Sequence, residues 1–182
     1  MRRISLFMNV SLDGYFEAPG NDLSWSVSEI EPFSEGSQGT DAILLGHRTY
    51  EMMKAFWPTP QAMETAPAVA RFMNETQKLV ASRQPFDPGW ERVTVLAGDV
   101  LTAVRELKAR PGRNIILLGS NALCVSLMQA GLIDEFQILL NPVVIGQGTS
   151  LFAGLKEKAR LELVDTRRFK SGAVLLTYQT AR

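Results

Sequence analysis

The sequence predicts an α/β fold: one three-layer domain over residues 1–182, with a mostly parallel central sheet of about eight strands and an antiparallel C-terminal edge. Three observations predict it. Short runs rich in Ile, Val and Leu recur at strand length, and helical apolar spacing lies between them. The last strand candidates then follow one another with no helical pattern in between. The length suits one domain, which buries roughly 70% of its unfolded surface. No repeat, low-complexity tract or linker interrupts it.

The first strand candidate is 4–10; Asn9, Ser11 and Asp13 interrupt its apolar run too soon for a secretion signal. Residues 17–39, with their Gly, Asn and Ser content, read as loop. Strand candidates follow at 42–46, 78–82, 93–97, 115–119, 135–145, 161–169 and 173–180. Ala42-Ile43-Leu44-Leu45 and Ile115-Ile116-Leu117-Leu118 are apolar without alternation, as in parallel strands covered on both faces. Helices are expected at 47–55, at 65–77 with Pro67 in the first turn, at 99–110 and at 120–130. In 99–110, Val100, Ala103, Val104 and Leu107 keep helical spacing, and Pro111-Gly112 stops the pattern. In 120–130, Leu123, Leu127 and Ala130 share a face, and Gly131 supplies a C-terminal cap. Residues 56–61, with Pro58 and Pro60, read as a second loop. A hairpin turning at Lys170-Ser171-Gly172 closes the chain.

Composition narrows the function. Lys plus Arg and Asp plus Glu each number 19, so no basic excess is available to neutralise phosphate backbones and no nucleic-acid partner is expected. The balance of 46% hydrophobic to 21% charged residues is that of a soluble globular protein. The single cysteine, Cys124, cannot form an internal disulfide, which suits a reducing compartment. No apolar stretch approaches the roughly 20 residues of a membrane span. A cytoplasmic protein with no membrane partner is expected.

Two segments share one physical signature. At Ile43-Leu44-Leu45-Gly46-His47-Arg48-Thr49, and again at Ile116-Leu117-Leu118-Gly119-Ser120-Asn121, a buried strand meets glycine and opens a helix. A helix N-terminus suits phosphate, and Thr49, Ser120 and Asn121 add side-chain hydrogen bonds. Each glycine alone could serve a tight turn, and Ser120 or Asn121 could merely cap a helix. Together the segments fit the two ends of a pyrophosphate at the carboxyl edge of an α/β sheet. Arg48 and Arg83, with Ser82, sit at neighbouring strand ends. Guanidinium groups grip phosphate through paired hydrogen bonds, which favours NADP over NAD. Met52, Met53, Phe56 and Trp57 form an apolar cluster, either core or the floor of a pocket for a planar ring. His47 has no partners at metal-ligand spacing, so no metal is expected. Cys124 reads as a small core residue rather than a nucleophile. Gly146-Gln147-Gly148 reads as a turn whose missing side chains could also admit a ligand.

These segments, in this order, resemble the dihydrofolate reductase superfamily, nearest to the C-terminal reductase domain of the bifunctional riboflavin-biosynthesis deaminase-reductase. The resemblance rests on Ser11-Leu12-Asp13-Gly14, Trp25, Gly46-His47-Arg48-Thr49-Tyr50-Glu51, Gly131-Leu132-Ile133-Asp134-Glu135, and Pro142 through Gly148 to Leu151-Phe152. It implies a dihydrofolate reductase-like fold and an NADPH-dependent reductase of a small heterocycle, similar to 5-amino-6-(5-phosphoribosylamino)uracil reductase. Asn9 would then present backbone atoms to the nicotinamide carboxamide, and Trp25 would lie in a loop over the ring. Arg48 and Thr49 would hold phosphates, Ser82 and Arg83 would face the 2′-phosphate, and Gly119, Ser120, Asn121, Ala122 and Leu123 would wrap the pyrophosphate. The resemblance also implies a homodimer paired through the closing strands.

The chain departs from that pattern at several places. Gly119-Ser120-Asn121 replaces a run of glycines. Ile30 stands where pterin reductases carry an acid, flanked by Glu29 and Glu31. Leu118 replaces a glutamate, and Met53-Lys54-Ala55-Phe56-Trp57-Pro58 replaces an Asp-rich, Arg-containing substrate segment. Candidate proton donors are Asp13, Glu29, Glu31 or a water. Asp13 could equally be a turn residue. Met53, Phe56, Trp57 and Leu118 would line a substrate pocket suited to a flat, weakly charged ligand. The rival expectations are a catalytically silent nucleotide- or small-molecule-binding protein and a pterin reductase.

Overall fold

A computed structural model describes residues 1–26, 33 and 37–181. Its strands are β1 (Ile4–Ser11), β2 (Tyr15–Glu17), β3 (Thr40–Gly46), β4 (Gln77–Ser82), β5 (Val93–Ala97), β6 (Asn114–Leu117), β7 (Glu135–Asn141), β8 (Thr149–Ser150), β9 (Leu161–Arg168) and β10 (Val174–Thr180). The helices are α1 (His47–Phe56), α2 (Pro60–Thr65), α3 (Pro67–Glu75), α4 (Val100–Ala109) and α5 (Asn121–Gln129). Eight strands form one sheet in the order β5-β4-β3-β6-β1-β7-β10-β9. All its pairings are parallel except those of β10 with β7 and with β9.

Two apolar clusters, one on each face of this sheet, make the three layers. Leu44, Ile115 and Leu117 join Val104 of α4 and Leu123, Cys124 and Leu127 of α5. Ile43, Leu45 and Ile116 join Tyr50 of α1 and Val69 and Met73 of α3. The unalternated apolar runs thus divide residue by residue between the faces, each fully buried Leu or Ile contributing about 1.5–3 kcal/mol. α4 starts at Asp99, whose carboxylate accepts from the Thr102 amide at 3.2 Å. α5 ends in a Schellman motif: Gly131, at φ +66, donates to Met128 O, and Leu132 donates to Leu127 O.

Four boundaries differ from expectation, each for a local reason. The helix expected at 65–77 is α3, 67–75, set off from α2 at Ala66 (φ −144, ψ 64), because the residue before a proline is pushed out of the helical region. The loop expected at 56–61 ends early, since Pro60 opens α2 and Thr59 Oγ1 accepts from the Ala62 amide. The strand expected at 135–145 stops at Asn141, because Pro142 has no N–H for the ladder. Within the loop expected at 17–39, Glu17 is the last residue of β2, which pairs antiparallel with β8 outside the main sheet. No helix of the described residues is long and apolar enough to cross a membrane.

Lys78 of β4 is fully buried and donates to the carbonyls of Met73, Asn74 and Thr76 at the end of α3. Burial draws its ammonium down to about 8, and nearby Arg92 adds to the fall. Lys78→Met is expected to lower stability by about 1–3 kcal/mol, because those carbonyls lose their shared donor. The folded-state value lies below the unfolded value of 10.5, so between them the unfolded chain binds more protons. Stability contributed by this group therefore rises with pH from about 8 towards 10.5. Urea unfolding of wild type and Lys78→Met near pH 7 and near pH 10 should show the gap between them widening at the higher pH.

Candidate active site

The parallel strands β1, β3, β4 and β6 end on one side of the sheet, the edge where α/β proteins place ligands. Helix α1 begins directly at the end of β3, three residues separate β6 from α5, and these two tips touch. The Gly46 amide donates to the Gly119 carbonyl at 2.8 Å, and the Gly119–Ser120 peptide is cis. A Cβ on Gly46 would lie 2.8 Å from Ser120 Oγ, closer than real side chains approach. Gly119 has φ +108, and a Cβ there would lie 3.3 Å from Thr49 Oγ1.

Neither helix start is closed by its own side chains. Gly46 and Ser120 are N-caps without a side-chain hydrogen bond, whereas Thr59 caps α2 and Asp99 caps α4. The first amides of α1 and α5 have no intrahelical acceptor and carry the helices' partial positive charge.

An apolar cavity of about 690 Å³ opens on one side of this junction, walled by Phe7, Phe33, Met53, Trp57, Val69 and Leu118 among others. It exists because β6 pairs with β1 only as far as Leu6↔Leu117, while β1 runs on to Ser11. The β6-side edge of residues 7–11 therefore has no strand beside it. On the other side lies an open groove of about 1160 Å³, bordered by Ser82, Arg83, Phe86, Leu101, Ala122 and Leu123. Arg48 and Ser120 belong to both walls.

The residues singled out in the sequence fall into these two spaces. Asn9, Trp25, Thr49, Gly119 and Asn121 line the cavity, as do Met52, Met53, Phe56, Trp57 and Leu118. Gly46, Ser82, Arg83, Ala122 and Leu123 line the groove. Arg83 is exposed and has no ion-pair partner among the described residues. Ser82 Oγ donates to Gln84 O at 2.7 Å and lies 3.4 Å from His47 Nδ1. The His47 ring stacks on Phe86, with centroids 4.0 Å apart, and gives the groove a flat wall. Arg48 does not extend freely into the groove. It donates to Glu17 at 2.9 Å and also bonds Asn21.

Asp13 has the surroundings of a turn residue. It does not line the cavity, and its carboxylate accepts from Ser11 Oγ at 2.7 Å, Gly146 N at 2.7 Å and Ile145 N at 3.2 Å. The Ser11 hydroxyl first, and then the two amides, hold the carboxyl below its usual range, and these bonds anchor the loop after β1. Glu29 and Glu31 lie outside the described residues. Glu17 and Asn21, passed over in the sequence, line the cavity. Glu17 arrives there through β2–β8 pairing, which brings the Glu17 carbonyl so close to Gly148 that a Cβ would lie 2.2 Å away. The space left by that glycine is filled by the chain itself.

Cys124 is buried in α5, and burial pushes its thiol up to about 12. It should stay unmodified by a thiol reagent near pH 8 until denaturant is added; rapid labelling of the native protein would contradict this burial. Among the described residues, no group of His, Cys, Asp and Glu is placed to hold a metal.

A sequence relative, the uncharacterised protein YyaP of Bacillus subtilis (strain 168), is 30% identical over 178 residues, 97% of this chain and 94% of that protein. The fold matches the crystal structure of a putative riboflavin biosynthesis protein from Shewanella sp. PV-4 with a TM-score of 0.79 at 20% identity, covering 99% of both chains. It also matches dihydrofolate reductase from Enterococcus faecalis, solved as a complex with NADP(H), with a TM-score of 0.71 at 15% identity over 99% of this chain and 97% of that one. The architecture is therefore dihydrofolate reductase-like. Residues 2–175 match the model of the RibD C-terminal domain, and the chain belongs to that family.

Proposed function

We propose that the protein is an NADPH-dependent reductase that adds hydride to a C=N or C=O bond of a small heterocyclic substrate. One observation carries the reading: two uncapped helix N-termini touch where an apolar cavity meets a polar groove. The residues fit the cofactor. Backbone amides of α1 and α5, with Thr49, Ser120 and Asn121, suit a diphosphate, and the missing side chain at Gly46 lets Ser120 and the two helix starts come together. Arg83, with Ser82, suits a 2′-phosphate, and the His47–Phe86 stack offers a face to an adenine ring. The unpaired edge of β1 at Asn9 gives backbone groups to a carboxamide.

Bound NADPH supplies the hydride, and the protein contributes position and exclusion of water. The aromatic walls would hold the acceptor beside the bound cofactor, and a water admitted at the cavity mouth would deliver the proton. Titration with NADPH should quench Trp25 fluorescence, an effect lost in Trp25→Phe. A flat titration of the wild type would remove the proposal's basis. A catalytically silent binding role is favoured by one observation: among the described lining residues the only carboxylate, Glu17, is tied to Arg48. NADPH affinity without turnover on pterin or flavin-precursor substrates would select that reading.

This reading includes a cytoplasmic homodimer formed through the closing strands. Neighbouring Leu163 and Val164, where β9 shifts register against β10, are 50% and 53% exposed on this edge strand. Light scattering at micromolar concentration should give twice the 20.1 kDa chain mass. A monomer would refute the pairing.

A further inference from the structure

We propose that the cavity selects an uncharged, flat ring carrying a carbonyl, and that the Trp57 indole N–H is the group that recognises this carbonyl. The inference rests on the reductase reading only for the cavity's role as substrate site; the recognition itself needs no cofactor.

Charge on the walls argues first. Among the described lining residues the charged side chains are Glu17 and Arg48, and these pair with each other at 2.9 Å. A ligand phosphate pushed into this end would lose water without meeting a free cation. The mouth is apolar too: Leu23, Met52 and Phe56 are large hydrophobic residues that stay exposed there.

Shape argues next. Phe7 and Phe33 meet edge to face at 5.4 Å, as do Phe56 and Trp57 at 5.1 Å, and such walls accept a planar ring. Met52, Met53 and Met73 adapt to its outline.

One polar atom in this wall is poorly used. Trp57 Nε1 donates to the Met53 thioether at 2.9 Å, and a thioether is a weak acceptor on a flexible side chain. Both residues line the cavity. A ligand carbonyl that displaces the sulfur gives the indole a stronger bond, while a ring without a carbonyl gains nothing.

Calorimetric titration of the protein without nucleotide tests this with three probes: coumarin, its carbonyl-free analogue 2H-chromene, and umbelliferyl phosphate. Coumarin should bind at least about ten-fold tighter than umbelliferyl phosphate. Trp57→Phe keeps an aromatic ring but removes the donor; it should weaken coumarin about five-fold and leave 2H-chromene unchanged. Equal or tighter binding of the phosphate, no binding of coumarin, or an equal loss for coumarin and chromene in Trp57→Phe would each overturn the inference. NADPH is titrated separately. If coumarin follows this pattern while NADPH fails to bind, the reductase reading falls and the recognition of the ring stands.

Discussion

Arg83→Ala should weaken NADPH binding about ten-fold and leave NADH within about two-fold, because only NADPH carries the 2′-phosphate. The side chain is exposed on the rim of the groove and unpaired among the described residues, so it is free to meet a phosphate without first breaking an ion pair. A charge-assisted hydrogen bond to such a group contributes about 1.5–3 kcal/mol, and 1.4 kcal/mol corresponds to a factor of ten. Exposure places the effect at the lower end. It should also shrink as salt rises, since the screening length falls to about 3 Å at 1 M. Arg48→Ala should behave differently. Arg48 already holds Glu17 and Asn21, so its loss releases the segment after β2 as well as a phosphate contact. Calorimetry with both nucleotides at two salt concentrations distinguishes the two arginines.

Gly46→Ala should damage the site more generally. The new Cβ would lie 2.8 Å from Ser120 Oγ and 3.1 Å from Ser120 N, so the hydroxyl must turn aside and the Ser120 backbone must give slightly. Overpacking of this kind costs on the order of 1–3 kcal/mol. A shift of the Ser120 backbone also displaces the two helix N-termini from each other, and affinity for both NADPH and NADH should fall about ten-fold or more. Ser120→Ala removes the nearer of the two clashes. The double substitution Gly46→Ala/Ser120→Ala should therefore be more stable than the sum of the single effects predicts, measured by urea denaturation. Strict additivity would mean that the tips do not press on each other.

Much of this was legible because it is local. Ile43-Leu44-Leu45-Gly46 and Ile116-Leu117-Leu118-Gly119 announce buried parallel strands that stop at glycine, and the structure brings their ends into contact. The boundary at Asp99 and the stop at Gly131 are set by hydrogen bonds within a few residues. What was hidden depends on distant partners. β2 has three residues and β8 two, too short for a periodic signal, and their pairing depends on how closely Gly148 approaches Glu17. Glu17 thus enters the cavity by a route no local pattern shows. Asp13 stayed open between proton donor and turn residue because Ile145 and Gly146, whose amides bind it, lie far along the chain. The orientation of Arg48 depends on Glu17 and Asn21, which lie well before it in the chain.

The central claim, that the touching helix starts grip the diphosphate of NADPH, is tested most directly by a crystal structure of the protein soaked with NADPH. The account predicts diphosphate oxygens within hydrogen-bond distance of the first amides of α1 and α5, the nicotinamide beside Asn9, and the 2′-phosphate near Arg83. A dinucleotide bound elsewhere, or a junction filled by side chains that leave it no room, would contradict it.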